Sequence, residues 1–481
     1  MAVPRPSRDL SRAGRRSAAA AAAVPAARAP EDGAPRPRFA GALVRSIGAR
    51  AVTLPVTAVT NLALAHTVVG AVGVPGYAQF ALVTTLPAVL PLTDLGAGAA
   101  ITEAVARDTS RERRLVRGAV LTSARNLMCA GAVIAVLGVG LALLGMWDPL
   151  LGEGAQPGSD LTVAIASVLF GCSMPLGLSR SVLLAVNRND VAFLLQGAGS
   201  ALLLALVLPA ARLGAPTGVF VAAAFLSQCL VSAAGGVLAG RYLGMPLLGM
   251  TVGSVRASAV RDRAPIARLA LPMTVITAAT AVAYATDRLV LSHTADAAAV
   301  AGYSAGAQFF APASSLLGAA GLPLWALFAR RRRSPGAPRR QLAAFTVCFA
   351  AGSLVVGAGI TVLGPFAGTW MMHERIRVGT GLMAAFAALL FVQAAAYPAT
   401  MWATDEAGLR FQAVACSLMA VVNLAVSIPL ARLGAEGPVI GSVVSYALFV
   451  LVPTLFRAFR PWTAPPSARG HHRVSPQRSS P

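Results

Sequence analysis

The sequence predicts an all-α polytopic membrane protein with about twelve transmembrane helices in two parallel sets of six. Three observations carry this prediction. Of 481 residues, 56% are hydrophobic and only 12% charged, about half the charged fraction that a water-facing surface needs. Apolar stretches long enough to cross roughly 30 Å of hydrocarbon recur along the chain. Basic residues gather in alternate connections between those stretches. The same apolar fraction excludes an intrinsically disordered chain, which has too little apolar surface to fold.

Residues 1–40 are rich in Ala, Pro and Arg and carry no apolar periodicity, the pattern of a disordered basic tail. Arg15-Arg16 before the alanine run superficially resembles a twin-arginine signal, but Pro25 interrupts and no strongly apolar stretch follows. Spans then fall at approximately 48–71, 77–102, 118–146, 161–186, 191–211 and 215–240, within an N-terminal bundle over 41–240. A cytoplasmic linker is expected over 241–265. The second bundle, over 266–458, holds spans at 266–292, 297–327, 342–365, 378–402, 409–431 and 436–457. Residues 459–481, with Pro461, Pro465, Pro466 and the His471-His472 pair, read as a second disordered tail.

Orientation follows from the arginines. Connections after even-numbered spans hold eighteen, and those after odd-numbered spans hold four, namely Arg212, Arg375, Arg377 and Arg432. Cytoplasmic loops of membrane proteins carry the excess of Lys and Arg, so both termini are expected in the cytoplasm. The formal net charge is +22, and every basic residue other than histidine is arginine. Clustered between apolar spans, this charge faces anionic lipid headgroups and not nucleic acid. Cys129, Cys172, Cys229, Cys348 and Cys416 all lie in apolar stretches without a close pair, so neither disulfides nor a metal site is expected.

The two halves open alike. Arg50-Ala-Val-Thr-Leu-Pro55 begins the first span and Arg268-Leu-Ala-Leu-Pro272 the seventh; each leads to Gly-Tyr, at Gly76-Tyr77 with Gln79-Phe80 and at Gly302-Tyr303 with Gln308-Phe309 further on. Both halves start inside, so the repeat is parallel, about an axis along the membrane normal.

Enzyme chemistry finds little purchase here. A glycosyltransferase or polymerase needs outer-loop carboxylates, and the first outer loop, Val74-Pro75-Gly76, has none, while Asp148, Glu153 and Asp160 are spread thinly in another. Without lysine a phosphate-cradling nucleotide loop is impossible. Polar groups inside spans, costly in lipid, mark a transport path instead. These are Arg50, Asn61, His66, Asp94, Arg125, Arg180, Asp287 and Arg288, with Gln196, Gln228, Gln308, Gln393 and Asn423. Arg50, Arg125 and Arg180 lie near inner ends, where their stems also suit snorkelling to headgroups; Asp94 suits a helix cap. Asp287 and Arg288 point about 100° apart on a helix, so one can face a lumen while the other finds a partner on a neighbouring helix. Four in-span arginines against two aspartates favour an anionic cargo, because the guanidinium fork donates two hydrogen bonds to phosphate.

On these residues the chain resembles the polysaccharide flippases of the MATE-like MOP superfamily, the Wzx-type exporters of O-antigen, exopolysaccharide and teichoic-acid units. The resemblance rests on Tyr77-Ala-Gln-Phe80, Asp94-Leu-Gly-Ala-Gly-Ala-Ala100, Thr286-Asp287-Arg288-Leu-Val-Leu291 and Val300-Ala-Gly-Tyr303, and covers about residues 41–458. It implies alternating access between two six-helix bundles in the bacterial plasma membrane. The implied cargo is an undecaprenyl-diphosphate-linked oligosaccharide, flipped from inner to outer leaflet. Arg50, Arg180, Arg288, Gln308 and Gln393 are then the substrate-binding candidates, and Asp94 and Asp287 the coupling or gating carboxylates. Anionic lipids, and a polysaccharide polymerase or glycosyltransferases, are the partners this implies; no cofactor is expected. The acidic residue of many MATE cation exporters is missing from the first span, which contains no carboxylate from Arg50 to Gly70. Multidrug or small-molecule export stands as the alternative, ahead of a glycan-processing membrane enzyme.

Overall fold

The structure, a computed structural model, describes residues 37–89, 98, 101, 104–105, 113–186, 188–245, 247, 267–331 and 339–459. Most of both tails (1–36 and 460–481), most of the 241–265 linker, and the Asp94 position lie outside these residues. Arg45–Pro481 form one packed unit; of the other, Met1–Val44, only the start of the first helix is described.

Among the described residues the regular structure is entirely helical. With no water in the hydrocarbon to satisfy backbone N–H and C=O groups, a helix is how an apolar chain crosses a membrane with those groups bonded internally. The helices are α1 (Pro37–Val89), α2 (Arg113–Leu143), the short α3 (Trp147–Leu151), α4 (Ser159–Leu176), α5 (Leu178–Ala185), α6 (Asn189–Arg212) and α7 (Thr217–Leu243). The second half holds α8 (Ala267–Thr294), α9 (Ala297–Arg331), α10 (Arg339–Met371), α11 (Thr380–Trp402), α12 (Glu406–Leu430), α13 (Glu436–Tyr446) and α14 (Val452–Phe459), the last two joined by a π-turn.

Ten of the described helical stretches are long and apolar enough to cross a membrane, which makes this a multi-pass membrane protein. The twelve spans of the sequence map onto them with two adjustments. The first span and the start of the second run through α1, which breaks at Gly73 (φ 73°, ψ −175°). That left-handed backbone is open to glycine and costly for other residues. The eighth span is the 35-residue α9, outside that count of ten. The fourth span, read as continuous over 161–186, is divided at Gly177 into α4 and α5. Pro175 withholds a backbone donor just before the break. The connection before α4 folds as α3 and a 3₁₀ turn at Gly152–Gly154, where the sequence suggested only a loop.

Packing follows small residues. α2 crosses α4 where Gly131 and Gly171 meet backbone to backbone; a Cβ on either would strike the other's carbonyl oxygen. Small residues let membrane helices approach closely enough for dispersion to hold them, since lipid offers no hydrophobic drive. α7 packs on α4 and α6, while in the second half α10 packs on α11, α8 on α12, α12 on α13 and α9 on α11. The bulkiest buried side chains include Tyr77, Phe220, Phe328 and Phe386.

Candidate functional site

Asp287 lies in the third turn from the end of α8, an acidic side chain in an apolar helix, and is 1% exposed. Four donors converge on its carboxylate. Asn423 Nδ2 and Ser427 Oγ, both from α12, donate to Oδ1 at 3.2 Å each; Tyr303 Oη of α9 and Ser442 Oγ of α13 donate to Oδ2 at 3.2 and 3.0 Å. The pairing follows from helix geometry. Asn423 and Ser427 are four residues apart and Ser442 and Ser445 three apart, so each pair shares one helix face. Asn423 is oriented by its second N–H, which donates to the Ala283 carbonyl at 2.9 Å; its Oδ1 accepts from Ser445 at 3.3 Å and lies 3.0 Å from Ser442 Oγ as the alternative acceptor for that hydroxyl's one hydrogen.

A carboxylate offers about four lone-pair positions, and here four donors fill them with no cation within ion-pair distance among the described residues. Burying a charge costs several kcal/mol unless it is hydrogen-bonded or neutralised, and this site offers both routes. Ser427 and Ser442 each carry one hydrogen and can turn it to Asn423 Oδ1. Their oxygens, with the carboxylate, then form an all-oxygen, singly charged set. Such a set suits a proton or a small hard cation.

Arg288, the next residue, is half-buried and makes no ion pair with the carboxylate among the described residues. Its Nε donates to Ser304 Oγ at 3.2 Å and its guanidinium carbon lies 5.4 Å from the Tyr303 ring centre. Its charge reaches the Tyr77 hydroxyl, which is buried beside Gln308 without a hydrogen bond of standard geometry.

Arg50 on α1 borders a cavity of about 140 Å³ whose polar lining is Arg50, Thr53, Thr57, Asn61, Gln196 and Ser315, drawn from α1, α6 and α9. No carboxylate lines it. One guanidinium nitrogen donates to the Ser315 carbonyl at 2.8 Å, the group lies 4.4 Å from the Phe193 ring centre, and Nε is buried without a partner. Arg180, exposed on α5, adds a second positive charge that acts on Arg50.

The candidate residues thus separate into an Asp287–Arg288–Gln308 group and an Arg50–Arg180 group. Gln393 belongs to neither, because its amide donates to Tyr284 Oη at 2.7 Å and accepts from Ser314 at 3.4 Å, tying α11 to α8 and α9. Asp94 lies outside the described residues. Tyr303, Ser427, Ser442 and Ser445 were not singled out as site residues. Their signal in the sequence is small polar residues at helical spacing within apolar spans, a pattern also typical of ordinary interhelical packing.

The two halves are joined at the end where the loops carry few arginines. The His66 ring of α1 is sandwiched between Trp370 (centroids 4.3 Å, 6° between planes) and His373 (3.7 Å, 18°), from the end of α10 and the turn after it. His66 Nδ1 lies 3.1 Å from the Trp370 carbonyl and His373 Nε2 lies 2.9 Å from the His66 carbonyl, so each of these nitrogens is the protonated donor. His373 and Glu374 hold left-handed backbone (φ 51° and 58°), unusual outside glycine, and a Cβ at Gly70 would come within 2.8 Å of the His373 ring. A second tie joins His293 Nε2 to the Pro149 carbonyl at 3.2 Å, with Gly152 against the Ser292 carbonyl.

No family model and no curated protein matches this chain. Solved structures do. The lipid II flippase MurJ in an inward closed conformation aligns over 85% of this chain and 87% of its own, with TM-score 0.63 and 10% identity. A multidrug resistance MATE family transporter of the MOP superfamily, inward-facing, aligns over 83% and 93%, with TM-score 0.61 and 15% identity. A MOP superfamily transporter from Pyrococcus furiosus, described as having a binding pocket of reverse polarity, aligns over 86% and 94%, with TM-score 0.60 and 15% identity. The chain therefore has the MATE/MurJ-like fold.

Proposed function

We propose that this protein is a membrane transporter of the Wzx kind, without enzymatic activity of its own. It carries an undecaprenyl-diphosphate-linked oligosaccharide from the cytoplasmic to the outer leaflet of a bacterial plasma membrane by alternating access between its halves. The observation that carries this reading is the Arg50 cavity. It is walled by residues of both halves, lined by amide and hydroxyl groups, and bordered by an arginine with an unused buried donor and no carboxylate. A diphosphate suits such a lining, and hydroxyl-rich sugar suits the neutral groups around it; an organic cation finds no counter-charge there. Arg50 and Arg180 serve the diphosphate on one side and Arg288 with Gln308 on the other. Asp287 serves as the coupling carboxylate.

The fold supports transport in general terms, since it is shared with proteins described as a lipid flippase and as multidrug transporters. The test is depletion in the native cell followed by mass spectrometry of extracted lipids. Accumulation of one undecaprenyl-diphosphate oligosaccharide, loss of the matching surface glycan and rescue by the intact gene is the expected result. An unchanged lipid pool together with loss of dye efflux would replace this reading with small-molecule export.

A further inference from the structure

We infer that Tyr303 is the positioning residue that transmits the state of Asp287 to Arg288. This inference rests on the transporter reading and deepens it. Two consecutive residues of α8 meet two consecutive residues of α9: Asp287 accepts from the Tyr303 hydroxyl at 3.2 Å, and Arg288 donates to Ser304 at 3.2 Å while its guanidinium sits 5.4 Å from the Tyr303 ring centre. One phenol therefore touches the buried carboxylate with its hydroxyl and the half-buried cation with its ring face. An arginine over an aromatic face is held by the ring's quadrupole.

What singles out Tyr303 is that, of the four donors to Asp287, it is the one that also contacts Arg288 among the described residues. A proton or a cation on Asp287 takes one of its lone-pair positions and weakens it as an acceptor, so its donors must rearrange. Ser442 can turn to Asn423 Oδ1 at 3.0 Å and Ser427 to Asn423 Oδ1 or the Pro438 carbonyl at 3.5 Å each, while Asn423 is held in place by its other N–H on the Ala283 carbonyl. Tyr303, 4% exposed, has no acceptor other than Asp287 among the described residues. A buried hydroxyl left unpaired is costly, so the phenol stays with the carboxyl group and shifts as that group rearranges. Phe386 packs edge to face on it at 5.4 Å and also abuts Gly306, which confines the shift. The seat of Arg288 moves with the ring. Allosteric coupling of this kind is a shared free energy, typically a 5- to 150-fold change in affinity.

The experiment uses the full chain in lipid nanodiscs and measures binding of undecaprenyl diphosphate to wild type, D287N, Y303F and the double variant. D287N, which mimics the neutralised carboxylate, is expected to change affinity about tenfold in the Tyr303 background and less than twofold in the Y303F background. An equal D287N effect in both backgrounds, or none in wild type, overturns the relay. The same four proteins are titrated with ethidium. Binding of the dye and not the lipid would overturn the glycan-carrier reading, while the four-way comparison with the dye still decides Tyr303. A ligand-free arm measures thermal midpoints of D287N, R288A and their combination. The two effects are expected to be non-additive with Tyr303 present and additive in the Y303F background; non-additivity that survives Y303F also overturns the relay.

Discussion

The two halves begin with the same Arg-to-Pro opening and the same Gly-Tyr, yet their tyrosines have opposite surroundings. The Tyr303 hydroxyl donates to a carboxylate that three other donors also satisfy. The Tyr77 hydroxyl, equally buried, has no bond of standard geometry. The first half instead places Arg50, with an unused donor, beside open polar space. One half thus holds a carboxyl group with its acceptor positions filled, and the other an arginine with a donor unused. In the proposed function the first would store the state of the protein and the second would receive the cargo.

That contrast can be broken at several points. The largest effect is expected from Asp287→Leu, which strands buried donors on three helices. Each stranded group costs ~1–3 kcal/mol, so a fall of at least ~3 kcal/mol is expected in unfolding measurements in detergent, with little protein reaching the membrane. Arg50→Ala should instead spare folding, because this side chain borders a cavity. Glycan export at equal protein level should fall about tenfold or more, which corresponds to ~1.4 kcal/mol of lost interaction with the moving cargo. Arg50→Lys should recover only part of it, lacking the planar fork. Tyr77→Phe sharpens the comparison between halves. Removing a buried hydroxyl without a standard hydrogen bond is expected to leave the unfolding free energy unchanged or raise it by up to ~1 kcal/mol, whereas Tyr303→Phe lowers it. The smallest effect belongs to Arg410→Ala. This removes an exposed pair with Glu406 one helical turn away, worth no more than ~0.5 kcal/mol in the same unfolding assay.

Much of the fold was legible because membrane chemistry writes it locally. An apolar run of span length and a cluster of arginines are properties of consecutive residues, and the outer turn at Val74-Pro75-Gly76 marked the region where α1 breaks at Gly73. The break at Gly177 was hidden, because proline and glycine are tolerated inside membrane helices. Asp287-Arg288 stood out since charge within a span is expensive, and Asn423 was visible as a polar group. Its use by Asp287, across 136 positions of sequence, was not. Ser442 lies 155 positions from the carboxylate it serves, and serine in a membrane helix has too many ordinary uses to announce this one. Gln393 shows the other case: a residue that suits a cavity wall by type makes hydrogen bonds to two neighbouring helices.

The stacked rings of His66, Trp370 and His373 bear on timing. They and the His293–Pro149 tie connect different helix pairs at one end of the protein, so in the proposed alternating access each would hold that end shut by itself. The waiting time for opening would then reflect the simultaneous loss of both. Cutting either tie would shorten the wait by its own factor, and cutting both by the product of the two. The end of the protein with the fewest arginines would in this sense be its clock.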